Sequence, residues 1–255
     1  MSLYIPPRYE LKYVLNLEQV QRVRDMLQGF CALDAHCEND QRRYPIHSLY
    51  LDTPTFQFHQ AKADRQSLRY KLRVRSYGPD SPIAIAEVKR KKNDIILKTR
   101  AIFQKDGVDE ALLELDDDAS KAHRDFLALM LRHRAEPKVL IRYEREAWVS
   151  LVNPYARVTF DYNLTFQAME DWNVDGDDVL NRPIDDPKSM SALGSNVILE
   201  LKFEEGEAPS WMMVIVQQLG LHRVGFSKYC TGVEHALLRD RNFLPGMRVS
   251  ALEPS

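Results

Sequence analysis

Cationic and apolar side chains alternate strictly in the segment Arg69-Tyr70-Lys71-Leu72-Arg73-Val74-Arg75. Because successive side chains of a β-strand point to opposite faces of the sheet, this pattern predicts a strand with four cations on one face and apolar residues on the other. Like charges that lie side by side on a sheet repel each other. The segment therefore indicates that something anionic covers its charged face, and a phosphate-rich ligand is the obvious candidate.

The same alternation of charged or polar residues recurs in other segments: Glu87, Lys89 and Lys91; Lys98 and Arg100; Arg157, Thr159 and Asp161. In a single strand, such a face is most simply explained as solvent-exposed surface. Solvent-exposed faces usually mix the two signs of charge, whereas these segments share cations and carry few carboxylates. Two like charges about 4 Å apart repel by roughly 4 kcal/mol at an effective dielectric constant near 20. Several such pairs in one enclosed space would require bound anions or lowered lysine pKa values.

Length and composition fit a soluble globular protein built as one large domain or two modest ones, since the 255 residues are 44% hydrophobic and 28% charged. The net charge of −2 argues against a generally basic nucleic-acid-binding protein and favours a local anion site. The three cysteines, Cys31, Cys37 and Cys230, have no metal-ligand spacing and indicate free thiols in a reducing compartment. With no recognisable signal peptide or membrane-spanning run, the sequence predicts a cytoplasmic protein.

Hydrophobic periodicity predicts strands and helices joined mostly by hairpins. The predicted strands cover residues 8–15, 45–52, 67–77, 83–90, 95–103, 138–149, 156–164 and 196–204. The predicted helices cover residues 17–28 (capped by Asn16), 56–63, 108–134, 209–219 and 227–239, and the acidic residues 166–190 receive no element. This order favours an α+β fold with an antiparallel sheet. A sheet closed into an eight-stranded barrel, with a charged lumen and an apolar wall packed by helices, would explain the charged faces.

Several common chemistries have no support in the sequence. The seven histidines show no HExxH or similar metal-ligand spacing, and Ser48, Ser67 and Ser227 lack a nucleophile-elbow context. Neither GxxxxGK[ST] nor GxGxxG occurs. If the protein binds a nucleotide, side-chain cations must therefore hold its phosphates.

An ordered set of short motifs identifies a family. The motifs are residues 8–13 (RYELKY), 48–54 (SLYLDTP), 72–78 (LRVRSYG), 87–89 (EVK), 97–100 (LKTR), 142–148 (RYEREAW), 156–161 (ARVTFD), 199–202 (LELK) and 226–229 (FSKY). Together they resemble the VTC (vacuolar transporter chaperone) domain, the polyphosphate polymerase branch of the triphosphate tunnel metalloenzymes. Each motif alone is weak, but the set occurs in family order and covers nearly the whole chain.

The resemblance implies a single domain over residues 1–255, folded as an eight-stranded antiparallel tunnel whose lumen binds triphosphate or polyphosphate. It implies as catalytic phosphate ligands Arg73, Arg75, Lys89, Arg145 and Arg157, and as further phosphate ligands Lys12, Lys98, Ser227 and Lys228. It also implies that Glu200 holds a divalent metal, Mn²⁺ or Mg²⁺, with Glu10 as a second carboxylate candidate. Ser227 and Lys228 would act from the start of the last helix, where backbone N–H groups also favour anions.

The resemblance implies a metal-dependent polyphosphate polymerase, a phosphotransferase that moves the γ-phosphate of ATP to a growing polyphosphate chain. Arg8 stands where the related CYTH branch has the first glutamate of its Glu-x-Glu-x-Lys signature, which favours the polymerase branch. Gly225 stands where family polymerases have a lysine, and Arg223 is a candidate substitute. Two alternatives therefore remain: a tripolyphosphate or nucleoside triphosphate hydrolase with the same fold, and a non-catalytic module that binds polyphosphate or inositol phosphate.

The expected partners are ATP and polyphosphate, with no nucleic acid and no membrane span. The sequence leaves open the oligomeric state, the preferred metal, the polyphosphate chain length, the partner proteins and the role of residues 166–190.

Overall fold

The computed structural model describes residues 8–93, 95–153, 155–184, 197–204 and 206–239. The strands are β1 (Arg8–Leu15), β2 (Cys31–Leu33), β3 (Tyr44–Asp52), β4 (Leu68–Ser76), β5 (Ile83–Lys92), β6 (Ile95–Gln104), β7 (Glu136–Ser150), β8 (Arg157–Ala168), β9 (Arg182–Pro183) and β10 (Val197–Glu204). The helices are α1 (Leu17–Leu27), α2 (Gln57–Ala63), α3 (Val108–Leu113), α4 (Lys121–His133), α5 (Ser210–Gln218) and α6 (Lys228–Arg239), and a 3₁₀ turn covers Ala35–Cys37. All eight predicted strands are present, whereas β2, β9 and the 3₁₀ turn were not predicted.

The strands form one antiparallel sheet in the order β1-β10-β8-β7-β3-β4-β5-β6, with β2 added on β7 and β9 on β8. The predicted α+β class, a large antiparallel sheet flanked by helices, is confirmed. The predicted closed barrel is not confirmed, because within the described residues β1 and β6 are the two ends of this order and do not pair with each other. Instead, a carboxylate oxygen of Glu10 on β1 lies 3.7 Å from Nζ of Lys89 on β5. The sheet therefore curls until charged side chains meet across the gap, and we call the side on which they meet the inner face.

A single helix predicted over residues 108–134 is wrong, because the segment forms two helices, α3 and α4. Residues 116–118 between them are three consecutive aspartates, whose side chains compete for backbone hydrogen bonds and disfavour a helix interior. Ser120 then starts α4, because its Oγ accepts a hydrogen bond from the backbone N–H of His123 at 3.1 Å. In contrast, Asn16 caps α1 as predicted, in a reciprocal capping box with Gln19.

Apolar side chains cover the outer face of the sheet in two clusters. One packs α1 and α5 against β1, β8 and β10, with Leu27, Phe160 and Met212 fully buried. The other packs α2, α3 and α4 against β3, β4 and β5, with Leu72 and Phe126 fully buried. Burial of these layers at roughly 25 cal/mol per Å² of apolar surface supplies most of the driving force for folding. The helices thus leave the charged inner face free for another role.

The inner face has a charged part and an apolar part, and a bulge in β8 separates them. The bulge lies at Asn163, whose φ of 51° is left-handed, between the paired positions Arg142–Thr165 and Glu144–Tyr162. As a result Asp161 and Leu164, although three residues apart, both point inwards. On the apolar side, Tyr229 and Val233 of α6 pack against the β-strands, so α6 fills one end of the inner face. No helix of the described residues is long and apolar enough to cross a membrane.

Candidate functional site

Charged side chains from seven strands and one helix meet on the inner face. Its cations are Lys12, Lys71, Arg73, Arg75, Lys89, Lys98, Arg100, Arg145, Lys202 and Lys228, and its carboxylates are Glu10, Glu87, Asp161 and Glu200. The cations outnumber the carboxylates by more than two to one. Most of the predicted phosphate ligands therefore lie together, and the cations gather around two carboxylate centres.

The first centre is Glu87 on β5, which is almost fully buried. Its carboxylate accepts from Nε of Arg73 at 2.6 Å, and it lies 2.6 Å from Nζ of Lys98 and 2.8 Å from Nε of Arg100. Arg75 lies farther away, at 3.8 Å. The register explains this grouping, because Glu87 lies directly opposite Arg73 on β4 and Arg100 on β6, and directly opposed residues share one face of a sheet.

The second centre is formed by Asp161 on β8 and Glu200 on β10, which are both buried. Arg145 donates to both oxygens of Asp161, at 2.6 and 2.8 Å, and reaches Glu200 at 3.4 Å. Lys228 approaches both carboxylates, at 2.5 Å from Asp161 and 3.1 Å from Glu200. Glu200 is further surrounded by Lys202 at 2.8 Å and Lys12 at 3.2 Å. Four cations therefore converge on one buried glutamate.

The two centres are connected across the inner face. Glu10 bridges Lys12 of β1, at 3.4 Å, and Lys89 of β5, at 3.7 Å. From the other side, Nζ of Lys71 donates to Oγ of Ser227 at 3.0 Å, and that Oγ also accepts from the first turn of α6 at Cys230 N. Ser227 thus joins β4 to the start of α6.

Strong electrostatic coupling holds the four carboxylates of the inner face ionised. Burial acts to raise the pKa of Glu200, but the charges of Lys202, Lys228 and Lys12 outweigh it and hold that pKa well below its usual range. Burial acts in the same way on Glu87, and Arg73, Arg75 and Lys98 outweigh it there. The pKa values of Asp161 and Glu10 are also lowered in spite of burial. The carboxylates therefore act as internal counter-ions and as weak bases.

Three lysines of the inner face also have lowered pKa values, which for a lysine favours the neutral form. Burial lowers the pKa of Lys202 in spite of its contact with Glu200. Burial lowers the pKa of Lys71 to about 8. Burial, together with the charge of Arg73, lowers the pKa of Lys98 to about 7 in spite of its contact with Glu87. Neighbouring cations add to the effect of burial: Lys12 and Lys89 at Lys71, and Arg73 and Arg100 at Lys98. An arriving phosphate group would stabilise the ammonium groups of Lys71 and Lys98 and raise their pKa values again.

We expect binding of inorganic tripolyphosphate, measured by calorimetry without metal, to weaken as the pH rises through 7 to 8. In that range the free protein loses protons from Lys98 and Lys71, whereas the bound state keeps them, so binding takes up protons and its heat depends on the buffer. The matched control is the double variant Lys71→Arg/Lys98→Arg, whose guanidinium groups stay charged in this range. Since the ligand's own titration is common to both proteins, equal pH dependence of the two would contradict this prediction.

Some predicted residues lie apart from these centres. Arg157 shares the inner face with Thr159 and Asp161, but its side chain is 56% exposed and reaches Asp34 at 3.5 Å. It therefore lies at the rim. Arg223 is exposed, and its charge acts on the hydroxyl of Tyr13, which packs in the outer core. Gly225 is exposed, and a Cβ atom there would meet nothing within 4 Å.

The site also contains residues that were not predicted as ligands: Lys71, Glu87, Arg100, Asp161 and Lys202. All five occupy the same period-two positions as the predicted ligands of their strands, so strand alternation alone could have included them. Their pairing partners, in contrast, depend on the register between strands.

The inner face offers carboxylate oxygens to a divalent cation. Within the described part of the chain, no group of three or more His, Cys, Asp and Glu residues is placed to hold a metal ion. Glu200 and Glu10, however, each place an oxygen within 3.4 Å of Nζ of Lys12, so they lie close to the same point. Mg²⁺ is usually bound by one or two carboxylates together with phosphate oxygens and water, and Mn²⁺ also prefers oxygen ligands. The residues present therefore fit such an ion when a phosphate ligand accompanies it.

Comparison with known proteins gives a family match and distant structural likenesses. The family model described as "VTC domain" matches residues 7–237. No curated protein matches the sequence. Among solved structures, the PH1819 protein from Pyrococcus horikoshii OT3 is 14% identical with a TM-score of 0.45, over 89% of this chain and 98% of that one. The monoclinic Mimivirus capping enzyme triphosphatase is 9% identical with a TM-score of 0.33, over 84% and 88% of the two chains.

Proposed function

The chain belongs to the VTC domain family, and on this basis we propose that its inner face binds oligophosphate and transfers the γ-phosphoryl group of ATP to a growing polyphosphate chain. We propose further that residues 1–255 act as one domain, and that the protein works in a reducing, cytoplasmic environment. The three cysteines are free and buried, which suits such an environment.

The observation that carries this proposal is the excess of cations on one face, arranged around the buried carboxylates Glu87, Asp161 and Glu200, which an anion can displace as their partners. Phosphate oxygens accept charge-assisted and often bidentate hydrogen bonds from arginine. Arg73 and Arg145 already make such pairs with Glu87 and Asp161. Their guanidinium groups are therefore held in place before a ligand arrives, which reduces the entropy lost on binding.

The carboxylates favour transfer to phosphate over transfer to water. A hydrolase that activates water needs a base, but Glu87, Asp161, Glu200 and Glu10 all have lowered pKa values and cationic neighbours. A terminal phosphate of the acceptor chain is already anionic at neutral pH and needs no base. The inner face, rich in cations and poor in free bases, therefore suits phosphate as the acceptor.

In the proposed reaction, an oxygen of the acceptor's terminal phosphate forms a bond to the γ-phosphorus of ATP while the bond to the β–γ bridging oxygen breaks, and ADP leaves. Arg73, Arg75 and Lys89 would hold one side of the phosphate chain, and Arg145, Lys12 and Lys228 the other. They would align donor and acceptor and neutralise charge on the transferred group, which is the main contribution that proteins make to phosphoryl transfer. A divalent ion held by Glu200, with Glu10 nearby, would supply charge neutralisation between adjacent phosphates.

The test is incubation of the protein with ATP and Mn²⁺ or Mg²⁺, followed by detection of phosphate chains that resist ordinary phosphatase. Chain formation, with ADP released in proportion, would support the proposal. Release of orthophosphate without chains would instead select hydrolysis. Tight binding of tripolyphosphate with neither product would select a binding module, and either of the last two results would overturn the polymerase assignment.

The variant Glu200→Gln is expected to bind tripolyphosphate in the absence of metal at least as tightly as the wild type, because one buried negative charge is removed. Its metal-dependent chain synthesis is expected to fall at least tenfold, because Glu200 would no longer hold the ion. The control is Glu136→Gln, since Glu136 is an exposed glutamate paired with Lys138 outside the inner face. Full synthesis by Glu200→Gln across a metal titration would refute the assigned metal role.

A further inference from the structure

The end of the β5–β6 hairpin, outside the inner-face site, combines cations with exposed aliphatic side chains. We define the hairpin tip as residues 90–93 and 95–97 together with Leu68, Arg69 and Tyr70 of the neighbouring β4. Strand register places these residues in rows across three strands: Leu68, Lys92 and Ile95; Arg69, Lys91 and Ile96; Tyr70, Arg90 and Leu97. In each row a cation of the central strand lies beside an aliphatic side chain of β6.

The aliphatic side chains of the hairpin tip are exposed on both faces of the sheet. The exposed fractions are 65% for Ile95, 41% for Ile96, 58% for Leu97 and 42% for Leu68. Ile96 points to the inner side, whereas its neighbours Ile95 and Leu97 point to the outer side. A partner that covers only one face would therefore leave aliphatic side chains on the other face exposed to water. Clustered exposed aliphatic side chains of this kind mark interaction sites in soluble proteins.

The charge around the hairpin tip is almost entirely positive. Residues 90–97 contain three cations, Arg90, Lys91 and Lys92, and one acid, Asp94, and Arg69 of β4 adds a fourth cation. The partner must therefore be anionic, and the edge strand β6 is poorly suited to pair with β6 of a second copy, because their cations would be brought together. Nucleic acid is also disfavoured, because the exposed apolar side chains of the tip are aliphatic and its one aromatic ring, Tyr70, already packs against Phe58, His133 and Arg90 instead of offering a surface for base stacking.

We propose that the hairpin tip docks on the surface of an anionic phospholipid bilayer. The aliphatic side chains enter the headgroup region, which can surround both faces of the hairpin at once, and the cations contact the lipid phosphates and carboxylates. Apolar insertion combined with basic residues is the usual physical basis of reversible attachment to anionic membranes. Such docking places the row Lys71, Lys89 and Lys98, which is the next row of the inner face, close to the bilayer surface.

The test is co-sedimentation of the full chain with vesicles of phosphatidylcholine alone or with 30% phosphatidylserine (about one lipid in three), in the presence of saturating tripolyphosphate. The tripolyphosphate is added to occupy the inner face. Whatever the outcome for the proposed function, the variants below change only the hairpin tip, so their effect on vesicle binding tests the tip separately. We expect at least tenfold tighter binding to the vesicles with phosphatidylserine, weakened by salt. The variant Lys91→Gln/Lys92→Gln is expected to lose about fivefold per lysine, and Ile95→Ser/Leu97→Ser at least tenfold.

The matched control is Leu151→Ser/Val152→Ser in the turn after β7, where both side chains are more than 60% exposed but residues 149–156 carry no cation. It is expected to bind vesicles like the wild type. Equal binding to both vesicle types, or full binding by Ile95→Ser/Leu97→Ser, would overturn the proposal. Stronger capture by immobilised polyglutamate than by vesicles would also overturn it, because the hairpin tip would then bind an acidic protein. A dimer that forms without lipid and that Ile95→Ser/Leu97→Ser dissociates would overturn it as well, because the partner would then be a second copy of this chain.

Discussion

Replacing Arg73 by alanine is expected to lower the rate of chain synthesis from ATP by about 10²- to 10³-fold, the usual effect of removing one preorganised group that stabilises transition-state charge. The guanidinium of Arg73 is fixed by Glu87 and by a hydrogen bond to the hydroxyl of Tyr50 at 3.0 Å. It therefore needs little reorganisation to meet a phosphate. Glu87 keeps Lys98 and Arg100 as partners in the variant, so we expect the fold to persist.

The matched control for Arg73→Ala is Arg142→Ala. Arg142 is similarly buried and is also ion-paired, with Asp178 at 2.7 Å, and it donates a hydrogen bond to the backbone carbonyl of Asp175 at 3.0 Å. It lies, however, on the outer side of β7. Synthesis should be measured for both variants at saturating and at limiting ATP, with far-ultraviolet circular dichroism to verify folding. If Arg73→Ala synthesises chains as fast as Arg142→Ala, Arg73 has no part in the reaction.

An intermediate result is expected for Arg73→Lys. Lysine keeps the positive charge but has one ammonium in place of the planar fork, and it cannot contact Glu87 and Tyr50 in the same way. We expect its affinity for tripolyphosphate to lie near that of the wild type and its rate of synthesis to lie nearer that of Arg73→Ala. Normal affinity together with a reduced rate would show that Arg73 contributes to the reaction by orienting the phosphate group, and not by its positive charge alone.

Strand alternation was sufficient to predict the charged face, because a period of two depends only on local backbone geometry. It located all eight strands, and the capping pattern of Asn16 located the start of α1. Prediction from strand alternation failed where the structure depends on contacts between segments that are distant in the sequence. The sequence shows Glu87 and Glu200 on basic strands, but only the register reveals that Glu200 faces Lys12 across one strand pair and Thr159 across the other. Whether a carboxylate is a free base or a counter-ion follows from such pairings.

Other features escaped prediction for a different reason. The apolar periodicity on either side of residues 114–120 continues well enough to suggest one helix, and only the tertiary packing of α3 and α4 decides where it breaks. The open edge of β6 is likewise a property of the whole sheet. The sequence of β6 has the pattern of an ordinary amphipathic strand. Nothing in that local pattern indicates that no other element covers Ile95 and Leu97.

Arg145→Ala is expected to lower the free energy of unfolding by about 3–5 kcal/mol, the usual effect of removing one partner from a buried ion pair. Asp161 is fully buried and Arg145 is its bidentate partner, so the variant leaves a buried carboxylate that Lys228 alone must compensate. The control is Arg157→Ala on the same face. Its pair with Asp34 is exposed on the arginine side, and such pairs contribute about 0–1 kcal/mol. Urea unfolding at pH 7 measures both values.

The pH dependence of the stability lost in Arg145→Ala gives a sharper test, because its sign follows from the lowered pKa values of Asp161 and Glu200. Asp161 and Glu200 have lowered pKa values in the folded protein, so they contribute stability above their unfolded pKa values of about 4 that is lost as the pH falls through the folded values. Without Arg145 the carboxylates are easier to protonate, so the stability gap between wild type and variant should be greatest near pH 7 and should narrow below about pH 4. A double variant, Arg145→Met/Asp161→Asn, removes both charges and should recover part of the loss at pH 7. A gap that stays constant from pH 7 to pH 3, with no recovery in the double variant, would mean that Arg145 stabilises the fold through packing alone.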